Sequence, residues 1–123
     1  MISEVAIRVL SRRLREVLRW REYLPAVVKA VEGVLGDVDV YVFGSAVEGG
    51  LTASSDVDVA VVIDRVPESA MGRARIVSRV WEVLEREGVP WWYPLEIHLM
   101  TEEELERLRR GGARFVSARE LIK

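Results

Sequence analysis

The chain has 123 residues and a mass of 14.0 kDa, which leaves room for one domain. Half of the residues are hydrophobic and 31% are charged, a balance typical of globular proteins and not of disordered chains. The formal net charge of -2 disfavours a general nucleic-acid-binding protein, because such proteins are basic overall. No cysteine is present, so disulfides, zinc–thiolate sites and thiol nucleophiles are excluded.

Side-chain amides are missing as well. Neither Asn nor Gln occurs, and Lys occurs only at Lys29 and Lys123. Loss of Asn, Gln and Cys together with abundant Glu and Arg is typical of heat-adapted intracellular proteins, so we expect a thermophilic source. Without amides, a nucleobase can be recognised only through backbone groups, aromatic stacking, hydroxyls or charges.

The N-terminal segment does not have the pattern of a signal peptide. Its apolar residues are interrupted by arginines at Arg8, Arg12, Arg13, Arg15 and Arg19, whereas a signal peptide needs an uncharged apolar run. No apolar stretch approaches the roughly 20 residues of a membrane span. We therefore expect a cytoplasmic protein with no membrane contact.

The first third of the chain has the pattern of two amphipathic helices. The first carries an apolar face formed by Ile7, Leu10, Leu14, Val17 and Leu18. Pro25 is expected to interrupt or restart the helix. A second apolar stretch follows over 24–35, and Gly36 is expected to end it.

Two hydrophobic strands follow, with a polar loop between them. Alternation over 38–43 predicts the first strand, which stops at Gly44–Ser45. The loop 46–55 is rich in Gly, Ser and Thr. The second strand is expected over 56–63, and its nearly continuous Val content indicates burial on both faces and a central position in the sheet.

The remaining elements complete one helix-covered sheet. Pro67 and Glu68 are expected to open a third helix that Gly88 ends, and a third strand is expected from about residue 91 to 100. Capping boxes predict a fourth helix, at Thr101 and Glu104, and a short last helix, at Ser117 and Glu120. The order predicts an α/β (α+β) fold with a small mixed sheet in a single domain, 1–123.

Acidic residues at two places could form one cluster. On a strand, Asp56 and Asp58 share a face and lie about 6–7 Å apart. Their apolar surroundings make them costly to bury unless a cation pairs them, and Mg²⁺ suits carboxylates. Glu96 and His98 share a face of the third strand, where Glu96 could complete a three-carboxylate cluster. Such a cluster can hold two metal ions and accept a proton from an attacking hydroxyl.

The segment 41–63, which reads YVFGSAVEGGLTASSDVDVAVVI, resembles a known motif. Gly44–Ser45, then ten residues, then Asp56–Val57–Asp58 are similar to the motif of the DNA polymerase β-like nucleotidyltransferase superfamily. Within that superfamily, the short chain resembles the minimal nucleotidyltransferase (MNT) group of archaea and bacteria. The resemblance implies a polymerase β-like nucleotidyltransferase core.

The resemblance also implies a role for each motif residue. Gly44–Ser45 and Ser55 would bind the phosphates of a nucleoside triphosphate, usually ATP. Asp56, Asp58 and Glu96 would be both metal ligands and catalytic residues of a two-metal Mg²⁺ site. The family transfers a nucleoside monophosphate to a hydroxyl and releases pyrophosphate. Many MNT proteins are antitoxins of a HEPN-domain ribonuclease toxin, and some adenylylate that toxin.

The chain departs from the family pattern at two positions. The third acid is usually Asp, and here it is Glu96. Family members often carry a basic residue after Gly-Ser, but this loop has Glu48 and no Arg or Lys from residue 43 to 64. A carboxylate near a triphosphate is repulsive unless it points to solvent. Both departures weigh against turnover and leave the predicted fold unchanged.

Other conspicuous residues have more than one interpretation. His98, the single histidine, could assist Glu96 or the nucleotide, but a hydrogen-bonded structural role is favoured. In the run 91–94, at least one of Trp91 and Trp92 is expected in the core. The remaining aromatic residues are expected to form an interface or to stack on a base. The Arg-rich first helix could bind RNA or an acidic partner, although a solvated face is the more common case.

The leading hypothesis is Mg²⁺-dependent transfer of AMP from ATP to a hydroxyl on a protein or small molecule. The alternative is an antitoxin subunit, with weak or no catalysis, that sequesters a HEPN-domain partner. RNA-end modification is weaker, because the net charge of -2 disfavours nucleic acid. Because the chain is little more than a catalytic core, acceptor recognition is expected to need another chain or a homo-oligomer.

Overall fold

The computed structural model describes residues 2–123, so Met1 of the expected domain 1–123 lies outside the described residues. This part of the chain forms α1 (Glu4–Val17), α2 (Trp20–Leu35), β1 (Asp39–Phe43), α3 (Ser45–Glu48), β2 (Val57–Val62), α4 (Ala70–Arg86), β3 (Leu95–Met100), α5 (Glu102–Arg110), β4 (Phe115–Ser117) and α6 (Ala118–Ile122). The expected mixed α/β fold is confirmed. The sequence pattern missed β4 because three residues are too short to show alternation.

The four strands form a mixed sheet in the order β3–β2–β1–β4. β1 pairs antiparallel with β2 and β4, while β2 pairs parallel with β3. β2 therefore lies inside the sheet, as its valine content predicts. The parallel pair requires a crossover connection, which α4 provides. The end of β1 and the starts of β2 and β3 meet at one end of the sheet, here called the site end.

Hydrophobic side chains pack on both faces of the sheet, to different depths. On one face, helices α2, α4 and α6 pack against alternate residues of β1 and β2, in a core that includes Leu24, Val27, Val31, Val40, Val42, Val57, Val59, Val61, Val80, Leu84 and Ala118. The other face has a smaller cluster of Ala60, Met100 and Leu105. Asp58 shares this thinner face with Ala60, because strand residues two apart point the same way.

The break between the first two helices lies at Leu18–Arg19 and not at Pro25. Pro25 is inside α2, where its missing N–H removes one helical hydrogen bond without ending the helix. Arg19 binds Glu16 at 3.3 Å and Glu22 at 2.7 Å, so its guanidinium spans the junction. The turn between the two helices therefore has an ion pair to Glu16 of α1 on one side and to Glu22 of α2 on the other.

α1 is helical as expected, but its apolar face is not covered by the described residues. Ile7 is 52% exposed and Leu10 is 44% exposed. The buried position of the helix is Val17, at its last turn. The amphipathic pattern thus predicted the helix and not its environment. In residues 2–123 we find no helix with both the length and the apolar character needed to span a membrane.

Element boundaries differ from the expected ones near two helix and strand starts. α4 begins after Ser69, whose hydroxyl accepts a hydrogen bond from the Gly72 N–H at 3.0 Å, and not at Pro67. β3 begins at Leu95, because the chain before it forms a turn in which the Tyr93 N–H donates to the Pro90 carbonyl at 3.0 Å. A side-chain cap and a turn thus fix both starts a few residues later than the pattern suggested.

The two expected capping boxes have different outcomes. The Glu104 N–H donates to the Thr101 hydroxyl at 3.2 Å, which confirms Thr101 as the N-cap of α5, while the Glu104 carboxylate accepts from the Thr101 hydroxyl at 3.4 Å and not from its backbone N–H. Ser117 precedes α6, but its side chain makes no capping hydrogen bond. The last helix is therefore where the pattern placed it, without the bond that the pattern implied.

Candidate functional site

The turn after β1 lies directly against Asp58. Gly44 leaves the strand with a φ of +73° and leads into α3. A Cβ atom built on Gly44 would lie 2.5 Å from Asp58 Oδ2, far inside van der Waals contact. Only glycine satisfies both the positive φ and this close approach. The Gly44–Ser45 turn and the Asp58 carboxylate therefore form one structural unit.

Asp58 and Glu96 are neighbours across the parallel pair of strands. The β2–β3 register sets Asp58 opposite Glu96, at the second residue of each strand. The Asp58 side chain is 24% exposed and that of Glu96 is 55% exposed. The burial expected for Asp58 from its flanking valines is therefore only partial, and Glu96 is largely exposed. Instead they line an open surface at the site end, where a charged substrate could reach them.

His98 completes the cluster on the same face. It lies two residues after Glu96, and its Nε2 atom is 3.0 Å from Asp58 Oδ1 and 3.8 Å from Glu96 Oε1. The Phe43 ring packs edge-on against the imidazole, with ring centres 5.1 Å apart. The histidine is thus hydrogen-bonded, as expected, but to a carboxylate of the site.

The cluster can hold a divalent cation. One donor atom each from Asp58, Glu96 and His98 lies within 4.8 Å of the other two. Two carboxylate oxygens and one imidazole nitrogen, open to solvent on the far side, leave coordination positions for water and phosphate oxygens. The residues present therefore fit a catalytic metal site.

Asp56 stands apart from this cluster. It immediately precedes β2, which begins at Val57, and its side chain is exposed. Its carboxylate is not in the group of Asp58, Glu96 and His98 whose donor atoms converge. The apolar pattern predicted that both aspartates lie on the strand and share its face. The strand instead starts one residue later, so that periodicity does not constrain Asp56.

Comparison with known proteins identifies the family. A sequence profile of the nucleotidyltransferase domain matches residues 21–120. The chain belongs to the nucleotidyltransferase domain family. The match begins in α2 and includes all four strands, so it covers the whole cluster and the Gly44–Ser45 turn. The resemblance to the polymerase β-like nucleotidyltransferases is confirmed.

Individual relatives agree with this nucleotidyltransferase assignment. The chain is 34% identical to spectinomycin 9-adenylyltransferase from Staphylococcus aureus, over an alignment that covers 54% of this chain and 33% of the relative. It thus spans about a third of the length of the curated relatives that it matches.

Solved structures share the fold. A presumed nucleotidyltransferase from Sulfolobus solfataricus superposes with a TM-score of 0.59 at 20% identity, over 85% of this chain and 84% of that one. A second presumed nucleotidyltransferase has a TM-score of 0.52 at 23% identity, over 74% and 91% of the two chains. Both similarities describe the fold of the nucleotidyltransferase domain.

The loop between α3 and β2 of this nucleotidyltransferase domain is held by its own hydroxyls. The Thr52 N–H donates to Ser55 Oγ at 2.8 Å, and the two hydroxyl oxygens lie 3.0 Å apart. The Ser55 side chain, expected to bind nucleotide, therefore closes a turn in this structure. Glu48, the carboxylate that could repel a triphosphate, is exposed at the end of α3. It can point to solvent, away from a bound phosphate.

An arginine from a distant part of the chain reaches this region. Arg114 Nη1 lies 3.4 Å from the carbonyl oxygen of Val47, in α3. The loop itself has no basic residue, but Arg114 brings a guanidinium to the short helix that follows Ser45. Sequence analysis missed this residue because its link to α3 joins positions 67 residues apart.

A groove of about 450 Å³ lies beside the site end. Arg12, Arg13, Glu16 and Val17 line it from α1, and Ala53, Trp92 and Pro94 line it from the loops before β2 and β3. Those two loops are joined by a hydrogen bond from the Val57 N–H to the Pro94 carbonyl, at 2.7 Å. The groove therefore adjoins the starts of the strands that carry Asp58 and Glu96.

Burial in the aromatic run 91–93 is the reverse of what was expected, because the tyrosine and not a tryptophan is in the core. Trp91 is 74% exposed and Trp92 is 51% exposed, so neither tryptophan is in the core as expected. Tyr93 is buried instead, and its hydroxyl donates to the Val17 carbonyl at 2.8 Å. Burial raises the pKa of Tyr93 above its usual value. The tyrosine ties the end of α1 to the chain before β3, and the tryptophans remain free for contact.

A larger cavity, of about 770 Å³, lies at the opposite end of the strands. Its lining includes the acidic residues Asp37, Asp39, Asp64, Glu102 and Glu103. Asp39 and Val62 pair at that end, whereas Phe43 and Asp58 pair at the site end. An acidic surface repels a triphosphate. The smaller groove is therefore the better candidate for substrate contact.

Proposed function

We propose that this protein transfers a nucleoside monophosphate, AMP from ATP, to a hydroxyl group on a protein. The observation that carries this proposal is the contact of the Gly44–Ser45 turn with Asp58, which is itself paired in register with Glu96. A phosphate-binding turn and two carboxylates then lie within reach of one α-phosphate. Membership of the nucleotidyltransferase family supports the same chemistry.

Each group has a defined role in the proposed reaction, and Glu96 has two. Gly44–Ser45 and Ser55 contact the phosphates, and Arg114 neutralises part of their charge. Asp58 and Glu96, together with Asp56, would hold Mg²⁺ in a two-metal site. When bound, the metal would stabilise charge on the phosphates and align the attacking and leaving oxygens.

The bond changes balance as a single displacement. The acceptor hydroxyl passes its proton to the Glu96 carboxylate while its oxygen bonds to the α-phosphorus. The bond between that phosphorus and the oxygen bridging to the β-phosphate breaks, and pyrophosphate leaves. The exposure of Glu96 suits this role, because an acceptor must approach it from solvent.

A protein acceptor suits the surface beside the site. The exposed apolar face of α1 is a feature of protein interfaces, and nucleic acid offers no comparable apolar surface. Arg12 and Arg13 pair with no carboxylate of residues 2–123, so they favour an acidic partner. A HEPN-domain toxin in the cytoplasm, bound through α1 and modified at an exposed hydroxyl, is the partner we propose.

The test uses ATP labelled on the α-phosphate, with Mg²⁺ and the product of an adjacent HEPN gene. We expect label on the HEPN protein with the wild type and loss of label with Asp58→Asn. Asp64→Asn is the matched control, because it makes the same change in the cavity at the opposite end of the sheet. Equal labelling by wild type and Asp58→Asn would contradict the proposed site.

The same exposed helix also favours a second candidate, a binding subunit that sequesters the partner without catalysis. The exposed apolar face of α1 needs a partner under either hypothesis. Stable complex formation, measured by size-exclusion chromatography, with no transfer of label at the working temperature would support this candidate. Label on the partner would exclude it.

A further inference from the structure

The imidazole of His98 lies where a metal ligand would lie. Ligands at right angles around a cation with bonds of about 2.1 Å are about 3 Å apart. The distance from His98 Nε2 to Asp58 Oδ1 is 3.0 Å, a hydrogen bond without a metal and a spacing that a shared cation would also give, and the donor atoms of Asp58, Glu96 and His98 converge within 4.8 Å. Glu96 Oε1 is 3.8 Å from the same nitrogen, and the exposed Glu96 side chain is free to close the remaining gap.

The His98 ring is packed against an aromatic neighbour. Phe43 packs edge-on against it, and Phe43 is stacked on Phe115 with ring centres 4.9 Å apart. The ring nitrogen therefore faces the two carboxylates, and not the small hydrophobic cluster. Asp56, which would supply a third oxygen ligand, is not part of the converging group. An imidazole nitrogen thus occupies the third position of the donor set.

We propose that His98 is a direct metal ligand and that it gives the site a preference for Mn²⁺ over Mg²⁺. Mg²⁺ is bound almost entirely by oxygen, whereas imidazole favours transition-metal ions. Mn²⁺ accepts oxygen and nitrogen ligands together and can still bind phosphate. This inference rests on the proposed function, since it names the ion of that same site.

The first test is spectroscopic and needs no turnover. Mn²⁺ is added to the whole protein without nucleotide, and electron spin echo modulation detects nitrogen bound to the ion. We expect a ¹⁴N coupling in the wild type and none in His98→Gln. Glutamine keeps a polar group near the Nε2 position, so hydrogen bonding to Asp58 can persist while the imidazole is lost. Absence of nitrogen coupling in the wild type would overturn the proposal.

Metal selectivity supplies the second test. We expect His98→Gln to weaken Mn²⁺ binding about tenfold while changing Mg²⁺ binding far less, because only the nitrogen ligand is lost. Equal weakening of both ions would show that His98 only positions Asp58. Glu103→Gln, in the opposite cavity, is the control and should leave both affinities unchanged. Unfolding measured without metal confirms that each variant is folded.

The outcomes separate this inference from the proposed function. Labelling of a partner that needs Asp58, with no nitrogen coupling and no change of selectivity in His98→Gln, would remove the histidine ligand and keep the enzyme. Nitrogen coupling in the wild type with no labelling of any partner would keep the metal site and remove the proposed transfer.

Discussion

The Asp58 carboxylate lies between the Gly44 backbone and the His98 imidazole. One of its oxygens faces the backbone of Gly44, where no side-chain atom could fit. The other lies 3.0 Å from the imidazole nitrogen of His98. Its orientation is therefore set by steric contact on one side and by a polar contact on the other. A change at either neighbour should move the carboxylate and alter what it can bind.

Gly44→Ala tests the steric side of this arrangement. The new Cβ would displace Asp58 and also strain a backbone with a φ of +73°. Gly49→Ala is the matched control, because Gly49 has a φ of +91° but open space around it. We expect both variants to lose about 1–3 kcal/mol from backbone strain in urea unfolding. Only Gly44→Ala should also lose thermal stabilisation by metal and ATP. Equal behaviour of the two variants in the ligand assay would contradict this interpretation.

Tyr93 should make stability depend on pH. Burial raises its pKa in the folded state above the unfolded value, so its neutral form stabilises the fold. That stabilisation is complete below about pH 10 and is lost as the pH rises toward the folded pKa. We expect Tyr93→Phe to be about 1 kcal/mol less stable at pH 7, from the lost hydrogen bond to Val17. In urea titrations above pH 10, the difference between wild type and variant should shrink; a constant difference would refute the assignment.

At the scale of elements, α1 is the least supported part of the fold. Val17 anchors its last turn, and the Tyr93 hydroxyl binds the Val17 carbonyl. The earlier turns are almost entirely exposed. A helix of 14 residues is marginal in water without tertiary packing. We therefore expect that a partner covers its apolar face in the functional assembly.

Leu10→Ser tests that expectation. Leu10 is 44% exposed, so its loss should lower the stability of the isolated protein by only about 1 kcal/mol. We expect affinity for the HEPN partner to fall about tenfold, the effect of losing one of the minority of interface residues that contribute more than about 1 kcal/mol each. Arg8→Ser, on the opposite side of the helix, is the control and should have a smaller effect. Isothermal titration calorimetry gives the affinities, and unchanged binding by Leu10→Ser would remove α1 from the interface.

Sequence patterns predicted the long elements and the motif well. β2 was recognisable as central from its valines, and α5 from the capping box at Thr101. Short elements such as β4 gave no periodic signal. The helix break lies at Leu18–Arg19, where the apolar pattern gives no indication of a break.

The site was predictable only in part, for a similar reason. The two acidic strands were visible in the sequence, and so was the Gly44 turn. The approach of His98 to Asp58 depends on the parallel register of β2 and β3, which sets Ala60 opposite His98. A register between strands about 40 residues apart is a tertiary property. Local patterns could therefore propose Glu96 as a site residue, but they could not show that His98 contacts Asp58.

Charged residues gather at both ends of the sheet, although the net charge is only -2. Arg12, Arg13 and Arg114 lie around the site end. Five acidic residues line the cavity at the opposite end. The site end also carries the carboxylates of Asp58 and Glu96, so its attraction for a triphosphate depends on a bound cation that offsets them, whereas the acidic cavity repels a triphosphate.

Thermal stability should be high for a domain of this size. Arg119 binds Glu32 at 2.9 Å and the Val38 carbonyl at 3.1 Å, and Lys29 binds Glu87 at 2.7 Å, so ion pairs connect distant parts of the chain. Such ion pairs contribute more at high temperature, and thermolabile amides are absent. We expect an unfolding midpoint above about 65 °C, the upper end of the mesophilic range. Calorimetry showing a midpoint of about 45–65 °C would contradict a thermophilic source.

The crossover between β2 and β3 has a consequence for folding kinetics. Asp58 lies before α4, while Glu96 and His98 lie after it, so the cation site does not exist until the chain has closed this long loop. Closure of distant contacts is slow relative to helix formation. Metal should therefore bind after the rate-limiting step, slowing unfolding while leaving the folding rate unchanged. The crossover that brings the site residues together thus makes ion binding a late step that stabilises the folded protein.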